Sequence, residues 1–160
     1  MKIEKQLVKF LTDTQKNGYA DKLVKKIKEK DSSKTIKFKN GDWEFNDNYF
    51  GGEPFAGREV VFFKKKPVYI TVYYGFVDKS FKDFKKVYEF LKKALSVKKE
   101  NNLIRRGPTR FKEGDFTYIN KFKGKIINFS GEEFIYFFGK KIYKAVYAGG
   151  LVDQRKEKND

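Results

Sequence analysis

Apolar residues recur at helical spacing at the start of the chain, at Ile3, Leu7, Val8, Phe10 and Leu11, and this predicts an amphipathic helix. Leu23, Val24 and Ile27 repeat the spacing more weakly and predict a second short helix, ended by Asp31-Ser32-Ser33. A stronger stripe, Phe81, Phe84, Tyr88, Leu91 and Leu95, predicts a central helix from about Ser80 to Val97, with Ser80 and Asp83 placed as a capping box. Its opposite face carries Lys82, Lys85, Lys86, Lys92 and Lys93. Elsewhere the runs REVVFF, PVYITVYY, FIYFF and IYKAVY are β-branched and aromatic, broken by Gly and Lys, and read as short antiparallel strands and hairpins.

Two of these runs belong to longer matching segments. Phe55 to Gly75 aligns without gaps on Phe129 to Gly149, with nine of 21 positions identical. Upstream, Gly41-Asp42-Trp43-Glu44-Phe45 matches Gly114-Asp115-Phe116-Thr117-Tyr118 with one residue of length difference. Each unit reads as a strand, a connection and a hairpin, and neither alone can bury a face. The expectation is an α+β fold. Its antiparallel sheet of about six strands would come from an internal duplication (41–75 and 114–150), with an N-terminal helix, a central helix, one domain over 1–152 and a polar tail over 153–160. Phe63 and Phe137 would then be equivalent core residues.

Composition narrows the chemistry. The 160 residues contain no cysteine and no histidine, which excludes thiol nucleophiles, Ser/His and Cys/His dyads, and zinc, haem or iron–sulfur sites with nitrogen or sulfur ligands. Neither GxxxxGK[ST] nor GxGxxG occurs, so no phosphate cradle is expected; no cofactor and no metal are assigned, apart from the hard-cation alternative at Glu59 and Glu133. The net charge of +16 comes from 32 Lys and only five Arg. Arg is the residue that grips base edges and phosphates bidentately, so this excess favours solvated lysines and at most weak, salt-sensitive nucleic-acid binding. Charge is uneven: +7 over residues 1–40, −1 over 41–75 and +6 over 82–106. MKIEKQLVKFL carries an acid and no long apolar core, and no run of 18 apolar residues occurs. A cytoplasmic protein without membrane contact is therefore expected.

Gly-Tyr-Ala at 18–20, GDWEFNDNYFGGEPFAGREVVF at 41–62, PVYITVYYG at 67–75, Arg106-Gly107-Pro108 and FSGEEFIYFFGKKIYKAVYAGG at 129–150 together resemble an uncharacterised bacterial domain family of unknown function. Its members occur alone or C-terminal to helix-turn-helix regulators of the xenobiotic-response type. The resemblance implies a sensing or interaction module. Members often carry Trp where this chain has Tyr69, so an aromatic role is implied there.

Glu59 and Glu133 occupy matching positions, each two residues after a glycine at a strand start. Such an acid can hold backbone or tyrosine hydrogen bonds. If the repeats bring the two together, they would instead form an acid/base pair or a hard-cation site. Trp43, Tyr49, Tyr73 and Tyr147 read first as strand core and second, with Arg58, Glu59 and Glu133, as the walls of a ligand groove between the repeats. Lys82, Lys85, Lys86, Arg105 and Arg106 form a candidate anion or nucleic-acid patch, the Arg-Arg-Gly-Pro turn being equally readable as a structural cap. The leading expectation is a non-catalytic ligand-binding or sensing domain for a small molecule or protein partner. Nucleic-acid association is the alternative, and a carboxylate-based hydrolase or lyase the third.

Overall fold

The computed structural model describes residues 2–17, 25–97, 106–153 and 155. Nine strands form one antiparallel sheet: β1 (Lys25–Lys28), β2 (Lys34–Asn40), β3 (Trp43–Gly51), β4 (Phe55–Phe63), β5 (Lys66–Val77), β6 (Arg110–Glu113), β7 (Phe116–Lys125), β8 (Asn128–Phe137) and β9 (Lys140–Leu151). Their spatial order is β1-β2-β3-β4-β5-β9-β8-β7-β6. The six-stranded sheet expected from the sequence is therefore too small. β1, β2 and β6 read KKIK, KTIKFKN and RFKE, and their charges mask short strand patterns. β1 and β6 are the two sheet edges, where lysine and other charge deter pairing with a further chain. Ile27, expected in a helix, lies in β1, while Leu23 and Val24 lie outside the described residues.

The chain runs outward-in through β1 to β5, crosses by a helix to the far edge, and returns through β6 to β9. The last strand thus pairs with β5, joining two meanders edge to edge. The same pairings occur in both. Gly57 stands opposite Tyr73 and Gly131 opposite Tyr147; Phe55 opposite Gly75 and Phe129 opposite Gly149. The register shifts after Val61 in one meander and after Ile135 in the other. Both end hairpins turn through two residues of positive φ, Lys64-Lys65 and Phe138-Gly139, the geometry that matches strand twist. Phe63 and Phe137 are half-buried rather than core, tilted against Trp43 and Phe116 with ring centroids 4.7 Å apart in each case.

Both helices lie on one face. α1 (Lys2–Asn17) buries Leu7, Phe10 and Leu11 against Phe45, Val61, Tyr69, Tyr73, Phe129 and Tyr147. α2 (Phe84–Ser96) buries Val87, Phe90, Leu91 and Ala94 against Val77, Phe116, Tyr118, Ile135, Tyr143 and Ala145. By strand alternation these partners all point to the same side. α2 starts later than expected because Asp83 is itself the N-cap, accepting from the Lys86 amide at 3.3 Å. Ser80 instead donates its amide to Asp78 Oδ1 in the preceding turn, so the capping box does not form. Among the described residues, no helix is long and apolar enough to cross a membrane.

Candidate functional site

Between the two helix-covered cores the inner face carries polar side chains. Glu133 is fully buried, and its Oε1 accepts from the Tyr118 hydroxyl at 2.8 Å and from Arg106 Nε at 3.2 Å. The Arg106 guanidinium also lies 4.8 Å from the Tyr73 ring centroid, so one side chain from the connection bridges β8 and β5. Tyr73 donates to Asp47 Oδ1 at 2.5 Å, and Tyr147 donates to Asn120 Oδ1 at 2.7 Å. Asn120 in turn holds the connection, its Nδ2 reaching Gly107 O and its amide Thr109 O. Gly107 is needed there because a Cβ would overlap the Tyr118 ring. Arg106-Gly107-Pro108 is thus a plug over the buried acid.

Burial dominates the electrostatics. It pushes the hydroxyls of Tyr69, Tyr73, Tyr118 and Tyr143 well up, and nearby carboxylate charge adds to this at Tyr73 (Asp47), Tyr118 and Tyr143 (both Glu133). These tyrosines keep their protons near neutral pH; Tyr73 and Tyr118 use them to donate, while the Tyr69 hydroxyl accepts from Thr71 Oγ1 at 3.3 Å. Burial also raises Asp47, against the opposing effects of the Tyr73 hydrogen bond and the Arg106 charge. The seam therefore ties Asp47 Oδ1 and Glu133 Oε1 to fixed donors, while Glu133 Oε2 and the Tyr143 hydroxyl are buried without a hydrogen-bond partner among the described residues.

The sequence candidates divide between faces. Trp43, Tyr49, Glu59, Tyr73, Glu133 and Tyr147 share the inner side, while Arg58 is exposed on the outer one. Trp43, partly buried, stacks on Phe10 at 5.4 Å and meets Phe63 at a tilt, and Tyr49 lies under Lys26 and Lys34 at 5.5 and 6.0 Å. Glu59 in β4 and Glu133 in β8 are three strands apart and shifted along the sheet; steps of about 4.8 Å per strand hold their backbones farther apart than a carboxylate pair requires. Because β5 and β9 are hydrogen-bonded neighbours, the meanders meet without an intervening groove. Lys82, Lys85 and Lys86 are exposed at and before the start of α2, whereas Arg106 is turned inward onto Glu133 and Arg105 lies outside the described residues. Sequence reasoning missed Asp47, Asn120 and Tyr118, although continuing the upstream alignment would have matched Asp47 with Asn120.

The outer face is different. No described element covers it, and at its centre Val72, Tyr74, Phe76 and Val146 are 39–49% exposed. The ladders place Tyr74 beside Val146, Phe76 beside Lys144, and Val72 between Arg58 and Ala148. Toward the far edge, Lys121 stands opposite Glu132 and Lys123 opposite Ser130. Val72, Tyr74, Val146, Lys121, Lys123 and Glu132 help to line an open depression of about 940 Å³, which Arg58, Phe76 and Lys144 adjoin along the ladders. The Phe134 ring beside it lies within 5.8 Å of three ammonium groups, those of Lys121, Lys141 and Lys144. Among the described residues, no cluster of acids could hold a metal ion.

Comparison with known proteins gives one match. The profile of a domain of unknown function, DUF5680, matches residues 47–152, a span from mid-β3 past β9 that contains the whole seam and most of the outer patch. No curated protein and no solved structure matches the chain. As the match covers well over half of the sequence, the chain belongs to the DUF5680 family.

Proposed function

We propose that this domain is a non-catalytic binding module and that its working surface is the outer face of the sheet, not a cleft between the meanders. The observation that carries this is the one-sided placement of α1 and α2, which leaves Val72, Tyr74, Phe76 and Val146 uncovered in a setting of exposed cations. Contiguous apolar surface rimmed by polar groups is characteristic of interaction sites. The inner seam supports the non-catalytic reading because Asp47 Oδ1 and Glu133 Oε1 are already taken up by tyrosine and arginine donors. The matched pairings of β3–β5 and β7–β9 further support an origin by duplication. A bacterial source and the link of such domains to transcription regulators, implied by the family resemblance, would make the module a sensor in the cytoplasm.

The test is amide chemical-shift mapping of the full chain against nucleotides, an oligonucleotide, an acidic peptide and anionic vesicles. Perturbations should gather at residues 70–76, 130–134 and 144–148. Perturbations centred on Arg106 and Glu133 would move the working site to the inner face and overturn the proposal.

A further inference from the structure

We infer that the outer face binds single-stranded nucleic acid, with bases stacking on Tyr74 and Phe76 and the phosphate backbone running toward the lysines of β7 and β9; this rests on the binding-module reading above. Tyr74 and Phe76 are successive outward residues of β5, and their ring centroids are 6.1 Å apart. Both rings are partly exposed, at 46% and 39%, and so offer π-faces that no residue of the sheet fully covers. Lys144 is the cross-strand neighbour of Phe76, and Lys121 and Lys123 lie two strands beyond, on the same side. Arg58 flanks the patch from β4. The acid within the patch, Glu132, is paired with Lys144 at 2.9 Å, and Lys121, Lys123 and Arg58 leave the local field positive.

The composition of this surface selects the occupant. Aromatic platforms beside a basic track are what an unpaired strand requires, since any base can stack and each phosphate needs only a point cation. Lysine suits that role because it contributes charge without base readout. A duplex keeps its base faces hidden and would leave the rings unused. A second copy of this chain would bring like charge against like charge, at a net +16 each. A bilayer would have to bury Glu132 and Ser130, which lie inside the same depression.

Fluorescence anisotropy on the full chain would test this, using a labelled 20-nucleotide oligothymidylate and a 20-base-pair duplex at two salt concentrations. The single strand should bind more tightly than the duplex. Tyr74→Ala with Phe76→Ala should weaken single-strand binding at least about thirty-fold and change duplex binding less than two-fold, with an unchanged melting temperature. Lys121→Gln with Lys123→Gln should weaken both and lower the salt slope by roughly one to one and a half. Equal affinity for both forms, insensitive to the ring substitutions, would reduce the binding to loose polyanion attraction and overturn the inference. Binding to vesicles containing phosphatidylserine, without oligonucleotide binding, would overturn it in favour of a lipid surface. In either case shifts still confined to the outer face would leave the binding-module reading standing, whereas shifts at the inner seam would remove both.

Discussion

Tyr73 and Tyr147 stand directly opposite each other in the ladder that joins the two meanders, yet the first donates to a carboxylate and the second to an amide. The geometry is nearly the same on both sides, and only the acceptor's ability to ionise differs. Only the Asp47 side therefore has an acceptor that can titrate, and pH dependence is expected in that meander alone.

Asp47→Asn should expose that difference. The folded-state pKa of Asp47 is raised by burial above its ordinary value near 3.8. A raised acid favours folding while protonated and loses that contribution as pH climbs through the folded value. Denaturant melts from pH 4 to pH 7 should therefore show wild type losing stability relative to Asp47→Asn, which retains an acceptor for Tyr73. A difference that grows in the opposite direction would mean that the Tyr73 and Arg106 contacts outweigh desolvation.

Arg106→Leu leaves the Glu133 charge buried without its cation. The expected loss is about 3–5 kcal/mol, because an unpaired buried charge is penalised far more than a pair is rewarded. Adding Glu133→Gln should recover much of the loss in chemical denaturation, since Gln still accepts from Tyr118. Failure of the second change to recover stability would assign the effect to the Arg106 contact with Tyr73 instead.

Gly131→Ala would drive a methyl group into the Tyr147 ring, and Gly57→Ala would meet both the Tyr73 hydroxyl and the Asn48 carbonyl. Overpacking of this kind costs about 1–3 kcal/mol. Calorimetry should show lower melting temperatures for both, whereas Gly41→Ala and Gly139→Ala, in open space at positive φ, should lose stability through backbone strain alone.

Glu53 accepts from the Val77 amide at 2.9 Å and from the Tyr88 hydroxyl, so the β3–β4 turn fastens the end of β5 and the side of α2. Glu53→Ala should destabilise by about 1.5–3 kcal/mol, the range for hydrogen bonds to a charged group. Hydrogen exchange in α2 should accelerate more than exchange in α1.

The repeated segments made six strands legible because alternation and glycine positions carry strand pairing directly. The central helix was equally plain, since its stripe of Phe84, Tyr88, Leu91 and Leu95 follows the helical period. The edge strands were hidden because Lys25–Lys28 and Arg110–Glu113 are selected against further pairing, and the residues that do this are the ones a strand pattern lacks. The one-residue length difference between the units falls in the turns, three residues between Gly51 and Phe55 against four between Gly124 and Phe129. The Asp47–Asn120 relation lies beyond the identical Gly-Asp pair and changes acid to amide, so no identity marks it. The outer patch was illegible for another reason. PVYITVYYG is apolar on both faces, which normally marks a strand covered on both sides, and periodicity cannot show that both helices choose one of them.

The β5–β9 ladder has a kinetic consequence. Every other neighbouring pair in the sheet is joined by a hairpin or short turn, but this ladder brings together residues such as Tyr69 and Leu151 from distant parts of the chain. Local hairpins close quickly, while a pairing of high sequence separation must wait for the entropy of the long intervening loop. Each meander would thus form first with one edge of its last strand, β5 or β9, still open, and the lysines of β1 and β6 guard only the outer edges. The nascent chain is most vulnerable to association with a second chain in that interval, before its two halves zip together.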